Sequence, residues 1–249
     1  MKSLSLAIPY LYFLHVTVIS VRVGSTLMFA PIWGHPSLPM YLRVILVFSI
    51  AAGVSAFIPY SPEAYSNPGS ILPTEFLIGL LLTMGIRIAF AGLHLAGQLV
   101  SYHLGFGMVQ AIDPQTQNRS TLMSTYFILL GYVLILTSNQ HHMMFRALAD
   151  SYTAFPLGSS VPMDHWFDAV IKASGQIFIV GWKIALPVFG ATFIVETMVG
   201  FLARMQPQLN MMVVSAPLKL LVGILALGAS LAFLPRVIGP VMTTMVLKR

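Results

Sequence analysis

Long stretches without a charged side chain are the feature that most constrains this chain. Only 8% of its 249 residues are charged, against roughly 25% in soluble domains. Apolar runs of about 18 or more residues are typical of membrane-spanning helices, and a chain in lipid must satisfy its backbone amides internally. We therefore predict an all-α protein of integral-membrane type, which excludes a soluble globular enzyme. The uncharged stretches are residues 3–21, 23–42, 44–62, 88–112 and 120–145.

Proline, glycine and charged residues divide the apolar sequence into about six blocks. The segment 139–173 is more polar, and we expect a connecting excursion there, with a turn at 155–160 and a short amphipathic helix after Asp164. If every block crosses the membrane, the distribution of Lys and Arg weakly places both termini in the cytoplasm. The predicted helical blocks are residues 8–30, 40–58, 74–104, 120–138, 174–203 and 211–235.

Charged residues also lie inside these apolar blocks. A charge on a lipid-facing helix surface is costly, so we expect these helices to face protein. They include Arg22, Arg43, Arg87, Lys183, Glu196 and Lys219.

The chain lacks the usual signatures of catalysis and of cofactor or nucleic-acid binding. It has no cysteine, so it can hold no disulfide and no Cys-ligated metal. No Walker loop, HExxH or GxSxG pattern is present. The net charge is +6, yet the basic residues are isolated and form no stripe with interleaved aromatics. We expect no enzyme activity, no cofactor, no metal and no nucleic-acid partner.

Polar and small residues share one face of the third block. At 100° per residue they follow a single line along a helix, and small residues at four-residue spacing are typical of close helix packing. We predict a helix interface there, within the chain or with another subunit; a hydrated path is the alternative. The interface residues are Arg87, His94, Gly97, Gln98 and Ser101, on a face that also includes Thr83, Ala91 and Gly105.

Glycines alternate with bulky apolar residues directly after this block, before an Asp-Pro break. Such a segment cannot be a regular helix throughout, and irregular backbone at membrane depth must be buried in protein or line a cavity. From the residues alone, an ordinary interhelical turn is an equal alternative. The candidate gate residues are Gly105, Phe106, Gly107, Met108, Val109, Ile112, Asp113 and Pro114.

The last two blocks predict an antiparallel helical hairpin whose tip is at residues 204–210. Glu196 lies 11 residues before Pro207 and Lys219 lies 12 after it, so the two charges come level and an ion pair would lower the cost of burying them. The alternative is that each pairs with a different neighbouring subunit. Arg204, Pro207 and Gln208 form the predicted tip.

Motifs along nearly the whole chain resemble the FliR/SctT family of type III secretion export-gate subunits, whose flagellar members are the flagellar biosynthetic proteins FliR. The run from Glu196 to Gly223 is the most specific. Longer relatives carry an extended tail, so we expect no role for such a tail here. The matching residues are Arg22, 30–34, Pro39 and Arg43; 96–97, 105–107 and 113–114; 138–142, 151–152 and Pro156; and Glu196, Gly200, Arg204, Pro207, Gln208, Pro217, Lys219 and Gly223.

The resemblance implies a non-enzymatic gate subunit that forms part of the channel for unfolded export substrates. It implies assembly with FliP and FliQ, contact with FlhB and with the wider apparatus that includes FlhA, and a place in the bacterial inner membrane at the flagellar basal body. It also implies that residues 1–173 are built like FliP, with a plug-like loop at 105–115, and that residues 174–249 are built like FliQ. The family's hairpin tip points to the cytoplasm, against the charge distribution. The resemblance also implies that much of the apolar surface contacts other subunits, with the complex lifted partly out of the bilayer.

Two other classes are alternatives to an export gate. A small secondary transporter or channel would need discontinuous helices in two matching halves, and no internal repeat is visible. An intramembrane hydrolase would need a nucleophile with a base, or an aspartate pair, within helices. The ionisable groups at membrane depth are nearly all basic. Flagellar and injectisome use are not separated by the sequence.

Overall fold

The computed structural model describes residues 2–60, 65, 68–106, 121–159, 163–206, 208 and 210–247. Within these ranges the chain forms helices and no strands, so the predicted all-α fold is confirmed. Pro39 immediately precedes the second helix, where its fixed φ suits a helix start. The described helices are α1 Lys2–Phe29, α2 Met40–Ser55, α3 Pro68–Leu82, α4 Met84–Leu104, α5 Leu122–Thr137, α6 Gln140–Ala154, α7 Met163–Met205 and α8 Met211–Leu247.

Three apolar segments of these helices are long enough to cross a membrane. They are Tyr12–Phe29, Val170–Met205 and Val213–Val241. Within the described ranges the number of candidate spans rises to at most five if α3 with α4, and α5 with α6, each count as one broken span. A bilayer core is about 30 Å thick, which corresponds to roughly 20 helical residues. The described helices therefore do not form six simple membrane crossings, one for each predicted block.

The predicted third block is two helices rather than one. α3 ends at Leu82 and α4 begins at Met84, with Thr83 buried between them. The Thr83 hydroxyl donates to the Leu80 carbonyl at 2.8 Å, a side-chain bond that competes with regular helix. Gly85, two residues after Thr83, has a low helix propensity. The break coincides with these residues, and average hydropathy does not distinguish them from a continuous helix.

The predicted polar excursion was also wrong in part. Residues 140–154 form α6, whose buried Met144, Leu148 and Ser151 recur at helical spacing. The turn prediction holds over residues 155–159, where Gly158 has φ +79°. The short helix expected after Asp164 is instead the first part of α7, which continues for 43 residues. The predicted division at residues 173 and 174 falls inside α7 and stays a prediction.

The residues group into two compact units by their internal contacts. Unit 1 comprises Met1–Arg87, Ser138–Val170 and Thr243–Arg249. Unit 2 comprises Ile88–Thr137 and Ile171–Met242. Four helices, α1, α2, α3 and α6, lie within unit 1, and unit 2 holds α5 and most of α4, α7 and α8.

In unit 1, α1 packs against α2 and α3 through small residues. A Cβ added at Gly24 would lie 3.4 Å from Val47 of α2. The hydroxyl of Thr26 donates to the Gly79 carbonyl of α3 at 3.3 Å, and a Cβ at Gly79 would lie 2.5 Å from the Arg22 carbonyl oxygen. Glycine at position 79 thus brings the two backbones together.

A buried ion pair joins α1 to α3 at this contact. Both side chains are fully buried: Arg22 Nε donates to Glu75 Oε2 at 2.6 Å, and Nη2 donates to Oε1 at 3.0 Å. The same guanidinium reaches α6, where it donates to Ser151 Oγ at 3.2 Å and lies 4.2 Å from the ring centroid of Tyr152. It also donates to the Phe155 carbonyl at 3.0 Å. One cation therefore connects three helices of unit 1, and we call this group the Arg22 cluster.

His15, seven residues before Arg22 on α1, is also buried in unit 1. His15 Nδ1 lies 2.5 Å from the hydroxyl oxygen of Tyr65, and Tyr65 stacks on Tyr60 with ring centroids 5.0 Å apart. Burial, with smaller contributions from Tyr60 and Glu75, raises the pKa of Tyr65 to about 12. The Tyr65 phenol is therefore protonated at neutral pH, and Tyr65 is uncharged in its contact with His15.

We predict that Glu75→Gln destabilises the chain by about 3–5 kcal/mol, because it leaves the Arg22 guanidinium buried without its counter-charge. The double change Arg22→Met with Glu75→Leu should recover most of this loss, since it removes both buried charges. Thermal unfolding of the detergent-purified chain measures the effect. Arg87→Gln, at an exposed cation that contacts the Phe29 ring, is the control. Unchanged unfolding of Glu75→Gln would contradict the prediction.

Candidate functional site

The central contact of unit 2 is between α4 and α5. Gly97 of α4 is buried, and a Cβ there would lie 2.5 Å from the backbone nitrogen of Ser124. Ser124 Oγ donates to the His94 carbonyl at 3.2 Å, and Thr121 Oγ1 donates to the Gly97 carbonyl at 3.4 Å. Only glycine allows this approach of two helix backbones. The short hydroxyl side chains of α5 satisfy carbonyls of α4 at the contact.

Glycines also allow α4 to pack closely against α7. A Cβ on Gly92 of α4 would lie 2.6 Å from Val180 of α7, and one on Gly181 of α7 would lie 2.8 Å from Leu95 of α4. Further along, the rings of His103 and Phe189 meet edge to face at 4.6 Å. α4 is therefore enclosed on two sides within unit 2.

The predicted interface residues of α4 fall into three environments. Gly97 and Ser101 are buried, and within the described ranges the Ser101 hydroxyl has no hydrogen-bond partner. His94 and Gln98 are half-buried and bond to each other at 3.1 Å between their Nε2 atoms. Arg87 belongs to unit 1, is exposed, and lies 5.3 Å from the Phe29 ring centroid. A contact of this face with another subunit stays a prediction.

α4 ends at Leu104, directly before Gly105, the first residue of the predicted gate segment. Gly105 has φ +85°, its N–H donates to the Tyr102 carbonyl at 3.1 Å, and the Phe106 N–H donates to the Ser101 carbonyl at 3.0 Å. This pair of bonds is a Schellman motif, which needs a left-handed residue just past the helix end. The other predicted gate residues lie outside the described residues: Gly107, Met108, Val109, Ile112, Asp113 and Pro114.

An apolar groove of about 1000 Å³ adjoins this helix end in unit 2. Leu104, Gly105 and Phe106 form one side, and α8 supplies the other. The side chain of Leu104 also reaches Gly223 of α8, where it would clash with any Cβ. The α8 residues that line the groove are Ser215, Ala216, Pro217, Lys219, Leu220, Leu221, Ile224 and Leu225.

The structure brings Glu196 and Lys219 together across the hairpin of α7 and α8. Lys219 Nζ is in ion-pair contact with Glu196 Oε1, and the two side chains are 24% and 43% exposed, respectively. The pair therefore sits at the hairpin surface rather than in its interior. Arg204 and Gln208 are exposed near the tip, and Pro207 lies outside the described residues.

Sequence reasoning missed several residues that position these helices. Glu75 and the hydroxyls of Thr121 and Ser124 were not singled out, and Ser151 entered only as part of the family resemblance. Glu75 carried a usable signal, because it is the only carboxylate inside the first three predicted blocks and Arg22 needs one. The hydroxyl residues carried none, because serine and threonine are common on every helix face.

Comparisons with known proteins place the chain among export proteins. The family model described as bacterial export proteins, family 1, matches residues 13–245. The flagellar biosynthetic protein FliR of Pectobacterium carotovorum is 29% identical over 217 residues, which cover 86% of this chain and 83% of that protein. FliR of Caulobacter vibrioides is 26% identical, with 86% and 87% covered. FliR of Bacillus subtilis is 27% identical, with 84% and 83% covered.

We predict that Gly97→Ala destabilises the chain by about 1–3 kcal/mol, because the added methyl overlaps the Ser124 backbone and a packed helix pair yields little. Gly190→Ala on α7 is the matched control: its Cβ would meet nothing within 4 Å, and alanine favours helix over glycine by about 1 kcal/mol. Unfolding temperatures of the two variants in detergent give the comparison. Equal stability of both would argue against a tight α4–α5 contact.

For the hairpin we expect Glu196→Gln or Lys219→Met to lower stability by about 1 kcal/mol, less than a fully buried pair because both side chains are partly exposed. The exchanged pair Glu196→Lys with Lys219→Glu should recover most of the loss. A double-mutant cycle on unfolding temperature measures the coupling. Purely additive single effects would show that the contact contributes nothing.

Proposed function

Because the chain belongs to the bacterial export proteins of family 1, we propose that it is a structural and gating subunit of the flagellar type III export gate. The family match over residues 13–245 and the similarity to proteins named flagellar biosynthetic protein FliR support this function. The chain is a membrane-embedded component of the export apparatus that acts without chemistry of its own. Its contribution is to form part of the channel for unfolded proteins.

One structural observation carries the multi-subunit part of this proposal: α7 and α8 are too long for a bilayer. The apolar segment Val170–Met205 has 36 residues and Val213–Val241 has 29, so they are about 54 and 44 Å long. The hydrocarbon core is about 30 Å thick. Even at a tilt of about 40°, the upper end of the usual range, the longer segment would still extend about 41 Å along the membrane normal. A substantial length of apolar helix must therefore be covered by protein.

The exposed side chains of the hairpin favour the same conclusion. Ile171, Phe178 and Phe193 are 68%, 62% and 57% exposed, and Leu225 of α8 is 70% exposed. These residues extend over most of the apolar length, which exceeds the roughly 30 Å that the hydrocarbon core can cover. Neighbouring helical subunits are the cover that fits an apolar surface of this length.

The family resemblance supplies the identity of those subunits. We propose FliP and FliQ homologues as direct neighbours, FlhB as a further contact and FlhA within the wider apparatus. In this arrangement residues 1–173 take a FliP-like place and residues 174–249 a FliQ-like place, with the hairpin tip towards the cytoplasm. The complex lies in the bacterial inner membrane at the flagellar basal body.

The segment that begins at Gly105 is our candidate for the closure element of the channel. Its first residue ends α4 in a left-handed conformation, so the chain turns away from the helix there. The following residues supply apolar bulk in sequence, from Phe106 to Ile112. An apolar constriction can hold back water and ions by dewetting. Export substrates would pass when the segment moves aside, so these residues act sterically.

Purification of the tagged chain in mild detergent, with mass spectrometry of the copurifying proteins, tests the gate assignment. We expect several small helical membrane proteins in fixed ratio, at a yield that survives gel filtration. Gly97→Leu should abolish the assembly. A chain that purifies alone and supports solute flux in liposomes would instead be a small transporter.

If this segment closes the channel, removal of its apolar side chains should make the complex leak ions. Replacing residues 106–112 by seven glycine and serine residues keeps the length of the connection but removes its apolar bulk, so the assembled complex should conduct ions without secreting. Conductance in planar bilayers and uptake of small dyes by cells are the measurements. Replacement of Pro156 and Leu157 by glycine or serine, in the turn after α6, serves as control. Wild-type conductance in an intact complex would show that the segment is an ordinary connector.

A further inference from the structure

The last turn of α4 packs against both helices of the hairpin. The ring of His103 meets the ring of Phe189 of α7 edge to face, with centroids 4.6 Å apart. Leu104, the final residue of α4, is 5% exposed and packs on Gly223 of α8, which is also buried. Tyr102 of the same turn is 67% exposed. The hairpin therefore holds the end of α4 through two adjacent side chains.

Gly223 provides the space that the Leu104 side chain occupies. A Cβ at position 223 would overlap Cδ2 of Leu104 and lie 3.4 Å from its Cγ. On the α7 side, Cγ2 of the fully buried Thr192 would lie 3.5 Å from the same Cβ. Any side chain at position 223 would therefore have to displace Leu104. Glycine is less favourable than alanine inside a helix, and this contact is a packing reason for its presence. We call Leu104, Thr192 and Gly223 the α4 anchor.

Hydrogen bonds connect this anchor to the first residues after α4. The N–H groups of Gly105 and Phe106 donate to carbonyls in the last turn of α4, as a Schellman motif. These bonds fix Gly105 and Phe106 relative to that turn, and the α4 anchor fixes the turn relative to α8. Both residues then line the apolar groove together with α8. The place where the chain leaves α4 therefore depends on the anchor.

Aromatic packing supports the same turn from the α7 side. Phe189, which contacts His103, stacks with Phe193 at a centroid distance of 6.1 Å. It also meets Trp182 edge to face at 5.8 Å. A lateral shift of the last turn of α4 would break the contact between His103 and this aromatic group. These contacts oppose movement of the end of α4 within unit 2.

We infer that the α4 anchor positions the closure element: Leu104 packed on Gly223 holds the first residues of that segment at one place beside α8. The inference deepens the proposed function and rests on it, because it takes the segment that begins at Gly105 as the closure element. A segment that moves aside for a substrate must return to the same place, and it can do so when the residue at its start does not move. Leu104 and Gly223 are thus positioning residues, which act through the segment and not on the substrate.

Ion conductance of the assembled complex in planar bilayers provides the first test. Gly223→Ala adds a methyl group where the Leu104 side chain lies, and overpacking of this kind shifts side chains and backbone. We expect the resting conductance to rise about tenfold, a typical size for the coupling between two sites. Gly228→Ala is the matched control, since it makes the same change on the same helix and its Cβ would meet nothing within 4 Å. It should leave the conductance unchanged.

A second change, at Leu104, tests whether the two residues act together. Valine has one carbon fewer than leucine, so Leu104→Val combined with Gly223→Ala conserves the total side-chain volume, and such exchanges are tolerated best. The double variant should conduct at close to the level of the unchanged complex. Leu104→Ala alone removes the anchoring side chain without a clash, so it should leak as Gly223→Ala does. It also provides the test if Gly223→Ala fails to assemble.

A distance measurement in the same complex reports the position of α4 directly. The chain contains no cysteine, so nitroxide labels can be attached to cysteines introduced at Tyr102 of α4 and Leu218 of α8, which are 67% and 41% exposed. Double electron–electron resonance should give a narrow distribution of label distances, both without a further change and with Gly228→Ala. Gly223→Ala should broaden the distribution, and Leu104→Val added to it should restore the narrow one.

Two results would overturn the inference. One is wild-type conductance of the Gly223→Ala and Leu104→Ala variants in an intact complex. The other is a leak in Gly223→Ala that Leu104→Val does not reverse. Replacement of residues 106–112 by glycine and serine separates this failure from failure of the proposed function. If that replacement leaks while both anchor variants stay closed, only the anchor is wrong, whereas a replacement that stays closed contradicts the closure element and the role of the anchor with it.

Discussion

A charge that is buried in an apolar helix is costly unless an opposite charge lies beside it, and each unit of the protein contains one such ion pair. In unit 1, Arg22 and Glu75 are both fully buried, and the guanidinium also donates to Ser151 Oγ and the Phe155 carbonyl and lies over the Tyr152 ring. In unit 2 the match is local, with Glu196 and Lys219 paired at the hairpin surface. The first pair orders helices, and the second sets the register of two helices that have few other polar features.

The glycines of this structure fall into two groups. Some lie at close contacts inside a unit, and others have no neighbouring atom where a side chain would be. Gly79, Gly92 and Gly97 lie where a Cβ would meet backbone or side chain within 3 Å, so they are needed for close packing inside a unit. Gly190 and Gly200 on α7 have nothing within 4 Å. Substitution experiments can therefore separate glycines that the chain needs for its own fold from those that only a neighbouring molecule could require.

The fold class, most helix positions and the hairpin register could be predicted from the sequence, because hydropathy and counting from Pro207 depend only on local spacing. The break at Thr83 and helix α6 could not be predicted in the same way. The helix breaks at Thr83 within a stretch that is apolar on both sides, so hydropathy gives no sign of it. α6 is too polar for a hydropathy search, although Met144, Leu148 and Ser151 recur at helical spacing. The ion pair of Arg22 with Glu75 needed long-range information, since 53 residues separate the partners. For the segment after Gly105, the sequence could indicate where regular helix stops but not what the following residues contact.

The 53-residue separation of Arg22 and Glu75 has a consequence for biogenesis. During synthesis α1 leaves the ribosome with an uncompensated guanidinium in its apolar stretch, and its counter-charge follows only when α3 has been made. At about 5–20 residues per second this interval lasts roughly 3–10 s. An arginine at the centre of a helix costs about 2.5–3.5 kcal/mol on translocon insertion scales, so α1 on its own is a poor membrane segment. The ion pair can therefore lower the cost of burying Arg22 only after α3 has been made, which couples the stable placement of α1 to that of α3.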